Sequence, residues 1–213
     1  AGAAPTAADW DRMGVPIVVV VAFLAGSIPF SNIAARRTRG VDLREVGTGT
    51  VSGTSLYRVA GFVPLAVAGV FDVAKGAVGP LLAGDRPMLA AVAGGVAVAG
   101  HNWSPFLRGA GGRGVAPTLG ALLVNAWPGA VLLLICMIVG KALGETGAGT
   151  FVGILALVPV LAALYGGAGA AAAGSVAVPM LVKRAIGNAP PSGARLPAYL
   201  TRVVFDRDAL QRA

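Results

Sequence analysis

The chain has 213 residues, of which 56% are hydrophobic and only 12% are charged. Its mean hydropathy of +0.78 excludes an ordinary soluble globular domain. The formal net charge is +8, but few basic residues cluster with aromatic ones. Basic loops of this kind report membrane topology and contact with anionic lipid headgroups, so membrane lipid is the expected partner and nucleic acid is not.

Seven apolar segments follow one another along the chain, and several are short for a full span. A hydrocarbon core about 30 Å thick requires roughly 20 helical residues. Alanine, valine, leucine and glycine dominate these segments, and small residues let helices pack closely in lipid. We therefore predict an all-α fold, a polytopic transmembrane helical bundle of about seven spans. The segments are residues 15–35, 59–83, 88–99, 115–124, 128–139, 151–165 and 168–182.

The region 115–139 is either one helix or two short helices broken at Asn125, Ala126, Trp127 and Pro128. With the break, fourteen basic residues lie on one side of the membrane and two on the other. This asymmetry follows the positive-inside rule. It favours seven spans in a multi-pass cell-membrane protein, with the N-terminus outside and the C-terminus and both polar loops in the cytoplasm.

The chain divides into a transmembrane domain, residues 1–189, and a cytoplasmic tail, residues 190–213. Residues 1–12 are a short polar lead-in, and the first apolar run is interpreted as a retained span. Residues 190–195 are predicted to be a flexible linker, and residues 196–213 a modestly amphipathic segment on the cytoplasmic surface. Cys136 lies inside an apolar run, so no disulfide framework is expected.

Two polar loops are rich in groups that bind phosphate. The loop from Gly100 to Gly114 combines glycines with two arginines between apolar segments. Glycines let backbone N–H groups crowd around an anion, and arginines supply the opposite charge. The loop from Gly40 to Arg58 adds five hydroxyl side chains between Thr48 and Ser55, and flanking arginines. The alternative for this second loop is an ordinary solvated loop with basic topology signals.

Two ionisable residues, Asp72 and Lys75, lie three apart on one helical face inside a predicted span. Such residues either form a structural ion pair or line a polar cavity, here with the lysine facing a phosphate site. His101 is the only histidine, and a structural hydrogen bond is its commoner role. One histidine without a nearby cysteine or carboxylate cluster predicts no metal site.

The chain resembles the integral-membrane glycerol-3-phosphate acyltransferases that use acyl phosphate as the acyl donor. The resemblance covers roughly the first 120 residues with collinear spacing. Three stretches carry it: residues 26–30 with 41–58, residues 72–76, and residues 100–116.

Several positions depart from the family pattern. Thr48 stands at a serine and Arg58 at an arginine that the family needs for activity. Thr50 and Ser55 replace two asparagines, and Ser52 replaces a glycine. In the third stretch, Ala110 replaces a lysine, Arg113 replaces a second lysine, and Pro117 replaces a threonine. Residues 182–187 occupy the place of a C-terminal His-Arg motif, where the histidine, asparagine and glutamate are missing.

The resemblance implies transfer of an acyl group from acyl phosphate to the 1-hydroxyl of glycerol 3-phosphate, without a cofactor or metal. Thr48, Arg58 and His101 are the implied catalytic residues. The implied substrate-binding residues are Ser27, Arg44, Lys75, Gly111, Gly112, Arg113 and Gly114. A catalytically altered or inactive relative that binds lipid is the first alternative, and a small anion transporter is the second.

Overall fold

The computed structural model describes residues 7–189 and 196–207, and the described part is helical with connecting loops. Nine α-helices and two short 3₁₀ turns follow in chain order within these residues. The helices are α1 Ala7–Ser27, α2 Phe30–Arg39, α3 Gly53–Ala60, α4 Phe62–Ala83, α5 Pro87–Asn102, α6 Val115–Asn125, α7 Trp127–Ala142, α8 Thr146–Ile186 and α9 Leu196–Phe205. The 3₁₀ turns are Leu43–Glu45 and Pro105–Leu107.

The predicted helical membrane bundle is confirmed. In the described part, three helical stretches are long and apolar enough to cross a membrane, Gly14–Arg39, Phe62–Ala83 and Thr146–Ile186. Shorter apolar helices lie between and after them. Large apolar side chains such as Ile17, Phe62 and Ile138 face outward along these helices, as they do in a protein whose solvent is lipid. The number of spans stays a prediction.

Two predicted segment boundaries were wrong. Residues 15–35 do not form one helix, because Pro29 lacks an N–H group and disfavours helical backbone at Ile28; α1 ends at Ser27 and α2 begins at Phe30. Residues 59 and 60 belong to α3, and Gly61, at φ 82°, separates them from α4. Both breaks place polar backbone near one end of the bundle, where the loops lie.

The predicted break after Asn125 is present. Helix α6 ends at Asn125, Ala126 is extended at φ −165°, and α7 begins with Pro128 in its first turn. Proline at this position is compatible with a helix start because the first N–H groups have no helical acceptor. The two short helices are therefore separate elements.

Helix α8 folds back on itself at Gly166. A straight helix of 41 residues would extend about 60 Å, roughly twice the hydrocarbon core. Gly166 is non-helical at φ 60° and divides α8 into two arms, residues 146–165 and 167–186. The arms run side by side, since Arg184 Nη1 donates to Gly147 O at 3.1 Å. They correspond to the predicted segments 151–165 and 168–182.

Small residues bring helices α4 and α6 into direct backbone contact. A Cβ atom on Gly76 would overlap Pro117 O, and one on Gly120 would overlap Val73 O. Each helix therefore contributes a glycine at the point where the other approaches, which is the close packing that the composition predicts. The contact holds Lys75 of α4 beside the loop that precedes α6.

Helix α9 packs against the end of α8, and its carbonyl groups accept hydrogen bonds from Arg184. The predicted linker at residues 190–195 lies outside the described residues, as do residues 1–6 and 208–213. The proposed division between membrane domain and tail stays a prediction.

Candidate active site

A small cavity lies where the two polar loops meet the ends of α1 and α5 and the middle of α4. Its volume is about 10 Å³, which is the space needed by one water molecule. Five of the sequence-predicted site residues line it: Ser27, Lys75, His101, Gly111 and Gly112. The other lining residues are Pro29, Ser31, Val51, Asp72, Ser104 and Leu107.

Lys75 and Asp72 form the predicted ion pair, with Nζ 2.7 Å from Oδ1. Both residues are 4% exposed. Ser31 Oγ donates to Asp72 Oδ2 at 2.9 Å, and Lys75 Nζ donates to Ile28 O at 2.6 Å. Lys75 therefore forms an ion pair with Asp72 and also lines a polar cavity, which are the two alternatives that the sequence left open. Ser31 was missed by sequence reasoning because its partner is 41 residues away.

His101 lies at the end of α5 with its Nδ1 3.9 Å from Asp72 Oδ1. This distance is too long for a hydrogen bond, so Ser31, Asp72 and His101 do not form a hydrogen-bonded relay. The His101 carbonyl accepts from Gly112 N at 3.3 Å. The imidazole is thus held against the glycine-rich loop on one side and the Asp72–Lys75 pair on the other.

Gly111 and Gly112 are glycines because the loop runs directly over α5. A Cβ atom on Gly111 would overlap His101 O and Asn102 O, and one on Gly112 would overlap His101 Nε2. Their N–H groups already have acceptors inside the protein: Asn188 Oδ1 at 3.2 Å for Gly111 and His101 O at 3.3 Å for Gly112. The phosphate-binding role predicted for these N–H groups stays a prediction.

Arg113 and Gly114 do not line the cavity. Arg113 Nη1 donates to Lys183 O at 2.7 Å, and Arg113 Nε lies 2.7 Å from Asp206 Oδ1. Gly114 is left-handed at φ 79° and immediately precedes α6. This conformation favours glycine, and a Cβ atom there would meet Val98 Cγ1 at 2.7 Å.

The first polar loop is organised by Asp42. Its carboxylate accepts from Arg36, and from Arg44 Nη2 at 2.6 Å. The Arg44 hydrogen bond is the main reason that the pKa of Asp42 lies well below its usual range. Arg44 Nη1 also reaches Leu107 O at 3.4 Å. Arg44 therefore links the first loop to a residue of the cavity wall without lining the cavity itself.

Thr48 and Arg58 are exposed and do not line the cavity. Thr48 Oγ1 donates to Thr50 Oγ1 at 3.0 Å. Arg58 lies in the last turn of α3. The structure therefore separates the ten predicted site residues into five that line the cavity and five that do not.

The peptide group of Gly111 is a second point of contact between the two polar loops, besides the contact of Arg44 with Leu107 O. Val51 N donates to Gly111 O at 3.1 Å. Asn188 Nδ2 donates to the same Gly111 O at 2.9 Å and to Gly49 O at 2.8 Å. The asparagine of the C-terminal motif was expected within residues 182–187, and none is present there. That range ended one residue too early. Asn188 follows directly after Gly187, which ends α8 at φ 64°, and supplies an amide to both loops.

No group of three His, Cys, Asp or Glu residues that could hold a metal ion is present within residues 7–189 and 196–207. The ionisable groups that line the cavity are Lys75, Asp72 and His101. Such an arrangement can bind and orient an anion and can stabilise charge that develops during a reaction.

These features define a helical integral membrane protein with a polar, lysine-containing cavity beneath a glycine-rich loop. The family model described as glycerol-3-phosphate acyltransferase matches residues 16–188. The chain belongs to this glycerol-3-phosphate acyltransferase family.

Individual relatives agree with the family assignment. "Glycerol-3-phosphate acyltransferase 4" of Dehalococcoides mccartyi (strain CBDB1) is 36% identical over 154 residues, covering 71% of this chain and 66% of the relative. "Glycerol-3-phosphate acyltransferase" of Synechococcus sp. (strain CC9902) is 35% identical over 170 residues, covering 78% and 84%. The chain thus spans slightly less than two thirds of the length of the first of these relatives.

A solved structure has a similar fold. It is described as PlsY (YgiH), an integral membrane glycerol 3-phosphate acyltransferase, in the glycerol 3-phosphate form. The TM-score is 0.71 at 25% sequence identity, covering 80% of this chain and 88% of that one.

Proposed function

We propose that this protein transfers an acyl group from acyl phosphate to the 1-hydroxyl of glycerol 3-phosphate and so makes lysophosphatidate for phospholipid synthesis. The observation that carries the proposal is the cavity in which Lys75 and His101 face Gly111 and Gly112, at the junction of both polar loops. The names of the relatives and of the similar solved structure support the same activity.

Glycerol 3-phosphate binds on the side of the glycine-rich loop in this proposal. Lys75 supplies positive charge, His101 and Ser27 adjoin it, Gly111 and Gly112 form the wall, and Arg113 and Gly114 follow them in the loop. The cavity volume of about 10 Å³ is smaller than a phosphate group. Binding therefore requires the cavity to widen, with Gly111 and Gly112 remaining as its wall.

Acyl phosphate binds on the side of the first polar loop. Thr48 donates its hydroxyl to a phosphate oxygen, and Arg44 and Arg58 supply guanidinium groups that suit phosphate geometry. The contact between Arg44 and Leu107 O brings this loop to the cavity wall. The acyl chain lies among outward-facing apolar side chains, in contact with membrane lipid.

The reaction then needs positioning and charge stabilisation more than a protein nucleophile. The 1-hydroxyl oxygen of glycerol 3-phosphate attacks the acyl carbon, and a new ester C–O bond forms. The bond from the acyl carbon to the phosphate oxygen breaks, and the leaving inorganic phosphate takes the hydroxyl proton. Lys75 and the arginines stabilise the charge that builds up on these oxygens.

The proposed topology places this chemistry on the cytoplasmic side. Seven spans, with both polar loops and the C-terminus in the cytoplasm, follow from the distribution of basic residues. Cysteine labelling of single-cysteine variants, with Cys136 replaced by alanine, tests this orientation in intact cells and inverted vesicles. Labelling of a Ser55→Cys variant in intact cells by an impermeant reagent contradicts it.

The activity is tested with purified protein, labelled glycerol 3-phosphate and acyl phosphate, following lysophosphatidate. Acyl-CoA and acyl carrier protein carrying the same chain are run as rival donors. We expect product from acyl phosphate alone. Product from none of the three donors with a correctly folded protein contradicts the proposal and favours a lipid-binding relative.

Arg58→Ala tests the acyl-phosphate assignment. We expect it to abolish turnover with little change in thermal unfolding, because Arg58 is exposed. Lys141→Gln is the matched control, since it removes another exposed cation at a helix end. Near-normal activity of Arg58→Ala contradicts the assignment.

A further inference from the structure

Arg113 is held by the C-terminal part of the chain. It follows directly on Gly111 and Gly112, which line the cavity. Its guanidinium contacts Asp206 Oδ1 at 2.7 Å through Nε, and Lys183 O at 2.7 Å through Nη1. The side chains of Arg113 and Asp206 are 13% and 26% exposed, so solvent screens this ion pair only partly.

The backbone of Asp206 directs its carboxylate. Asp206 N donates to Arg202 O at 2.9 Å and closes the last turn of α9. Its φ of 54° is in the left-handed region, which aspartate and asparagine tolerate better than most residues. The carboxylate that meets Arg113 is therefore placed by the way α9 ends.

Helix α9 is itself fixed to the bundle by two buried arginines. Arg184 is 1% exposed, and its Nη1 donates to Val203 O at 2.8 Å. Arg202 is 5% exposed, and its Nη1 donates to Ala189 O at 2.8 Å and Ile186 O at 3.3 Å. Each arginine binds carbonyl groups at the C-terminal end of the other helix, where cations are favoured.

We propose that Asp206 is a positioning residue for the acyl transfer, acting through Arg113 on the glycine-rich loop. It touches no substrate. It fixes the guanidinium of Arg113. The backbone of the neighbouring Gly112 is thereby held in the position in which it forms part of the cavity wall. Helix α9 and Asp206 lie beyond residues 16–188, so this support is additional to the region that the family model matches. The kinetic part of the inference rests on the proposed function.

Asp206→Asn is the decisive variant, because asparagine keeps the size and the tolerance for left-handed backbone and removes only the charge. We expect KM for glycerol 3-phosphate to rise about tenfold while KM for acyl phosphate stays unchanged, because the displaced wall belongs to the proposed glycerol 3-phosphate site. Arg113→Gln should have the same effect, and the double variant should be no worse than either single variant.

Arg207→Gln is the matched control. It breaks the neighbouring exposed pair, Arg207 Nη2 to Glu145 Oε2 at 3.0 Å, which does not contact the glycine-rich loop. We expect both KM values to remain those of the unmodified protein. An unchanged KM for glycerol 3-phosphate in Asp206→Asn overturns the proposal, and so does an equal rise in KM for both substrates. A lower KM overturns it in another way, by showing that Asp206 competes with the substrate phosphate for Arg113.

Hydrogen–deuterium exchange of residues 108–114 gives a measurement that needs no activity. We expect faster exchange in Asp206→Asn than in the unmodified protein and in Arg207→Gln. If the unmodified protein makes no lysophosphatidate but Asp206→Asn exchanges faster, the proposed function fails and the positioning contact stands. If exchange is unchanged, the positioning inference fails whatever the activity.

Discussion

The amide of Val51 and the carbonyl oxygen of Gly111 are joined by a 3.1 Å hydrogen bond between two loops that lie 60 residues apart in sequence. The same carbonyl oxygen accepts from Asn188. One peptide group thus connects the first polar loop, the glycine-rich loop and the end of α8. Changes at any of the three elements are therefore expected to alter the cavity.

Lys75→Gln is expected to lower both stability and activity. It leaves the buried Asp72 carboxylate without its counter-ion, and breaking a buried ion pair costs about 3–5 kcal/mol. The double variant Asp72→Asn with Lys75→Gln removes both charges. We expect its thermal unfolding in detergent to recover most of the loss, while lysophosphatidate formation does not recover. Recovery of activity in the double variant would show that Lys75 acts only as a structural partner.

Gly112→Ala is expected to reduce kcat/KM about a hundredfold or more, since displacement of a cavity wall by about 1 Å has effects of that size. The new Cβ atom would overlap His101 Nε2 and Val51 O, so the loop must move. Gly174→Ala is the control, because a Cβ atom there meets open space within a helix. Helix propensity predicts that the control gains about 0.5–1 kcal/mol in stability and keeps its rate. An active Gly112→Ala enzyme would show that the wall tolerates this movement.

Asn188→Asp is expected to lower kcat/KM at least about tenfold. Aspartate lacks the N–H donors that reach Gly49 O and Gly111 O, and its charge faces two carbonyl oxygens. Asn125→Asp removes a similar bond, Asn125 Nδ2 to Ala90 O at 3.1 Å, at the opposite end of the bundle. We expect this control to lose about 1 kcal/mol of stability without a change in KM. Equal kinetic effects from both variants would contradict a specific role for Asn188.

Stability is expected to fall in acid through Asp42. Its folded-state pKa is lowered, mainly by the Arg44 hydrogen bond. The stabilisation is therefore fully present above the unfolded value of about 3.9 and is lost as pH falls from there toward the folded value. Thermal unfolding of the unmodified protein and of Asp42→Asn, followed from about pH 6 to pH 3, measures this. The difference between the two curves should shrink in acid, and parallel curves would contradict the assignment.

Local patterns in the sequence predicted much of the fold. The helix break before Trp127 and the pairing of Asp72 with Lys75 follow from proline chemistry and from helical periodicity, which act over a few residues. The break at Pro29 was missed because the apolar run continues across it. A hydropathy pattern reports burial in lipid and does not report whether the helix is continuous.

The site was predicted less completely, because its contacts join distant residues. Gly111 and Gly112 line the cavity, but their N–H groups bind Asn188 and His101, and no local pattern shows which acceptors a loop will meet. The role of Asn188 depends on α8 folding back at Gly166. Ser31 and Ser104 line the cavity because α1 ends before Pro29 and α5 ends at Asn102.

The turn at Gly166 also determines where Asn188 lies. The second arm of α8, residues 167–186, is a continuous helix between this turn and Gly187. Inserting one residue into the arm would advance its end by about 1.5 Å and rotate it by about 100°, carrying the amide of Asn188 away from Gly49 and Gly111. A change in the number of residues in this arm would therefore remove the Asn188 bridge between the two loops, even if every side chain at the cavity were retained.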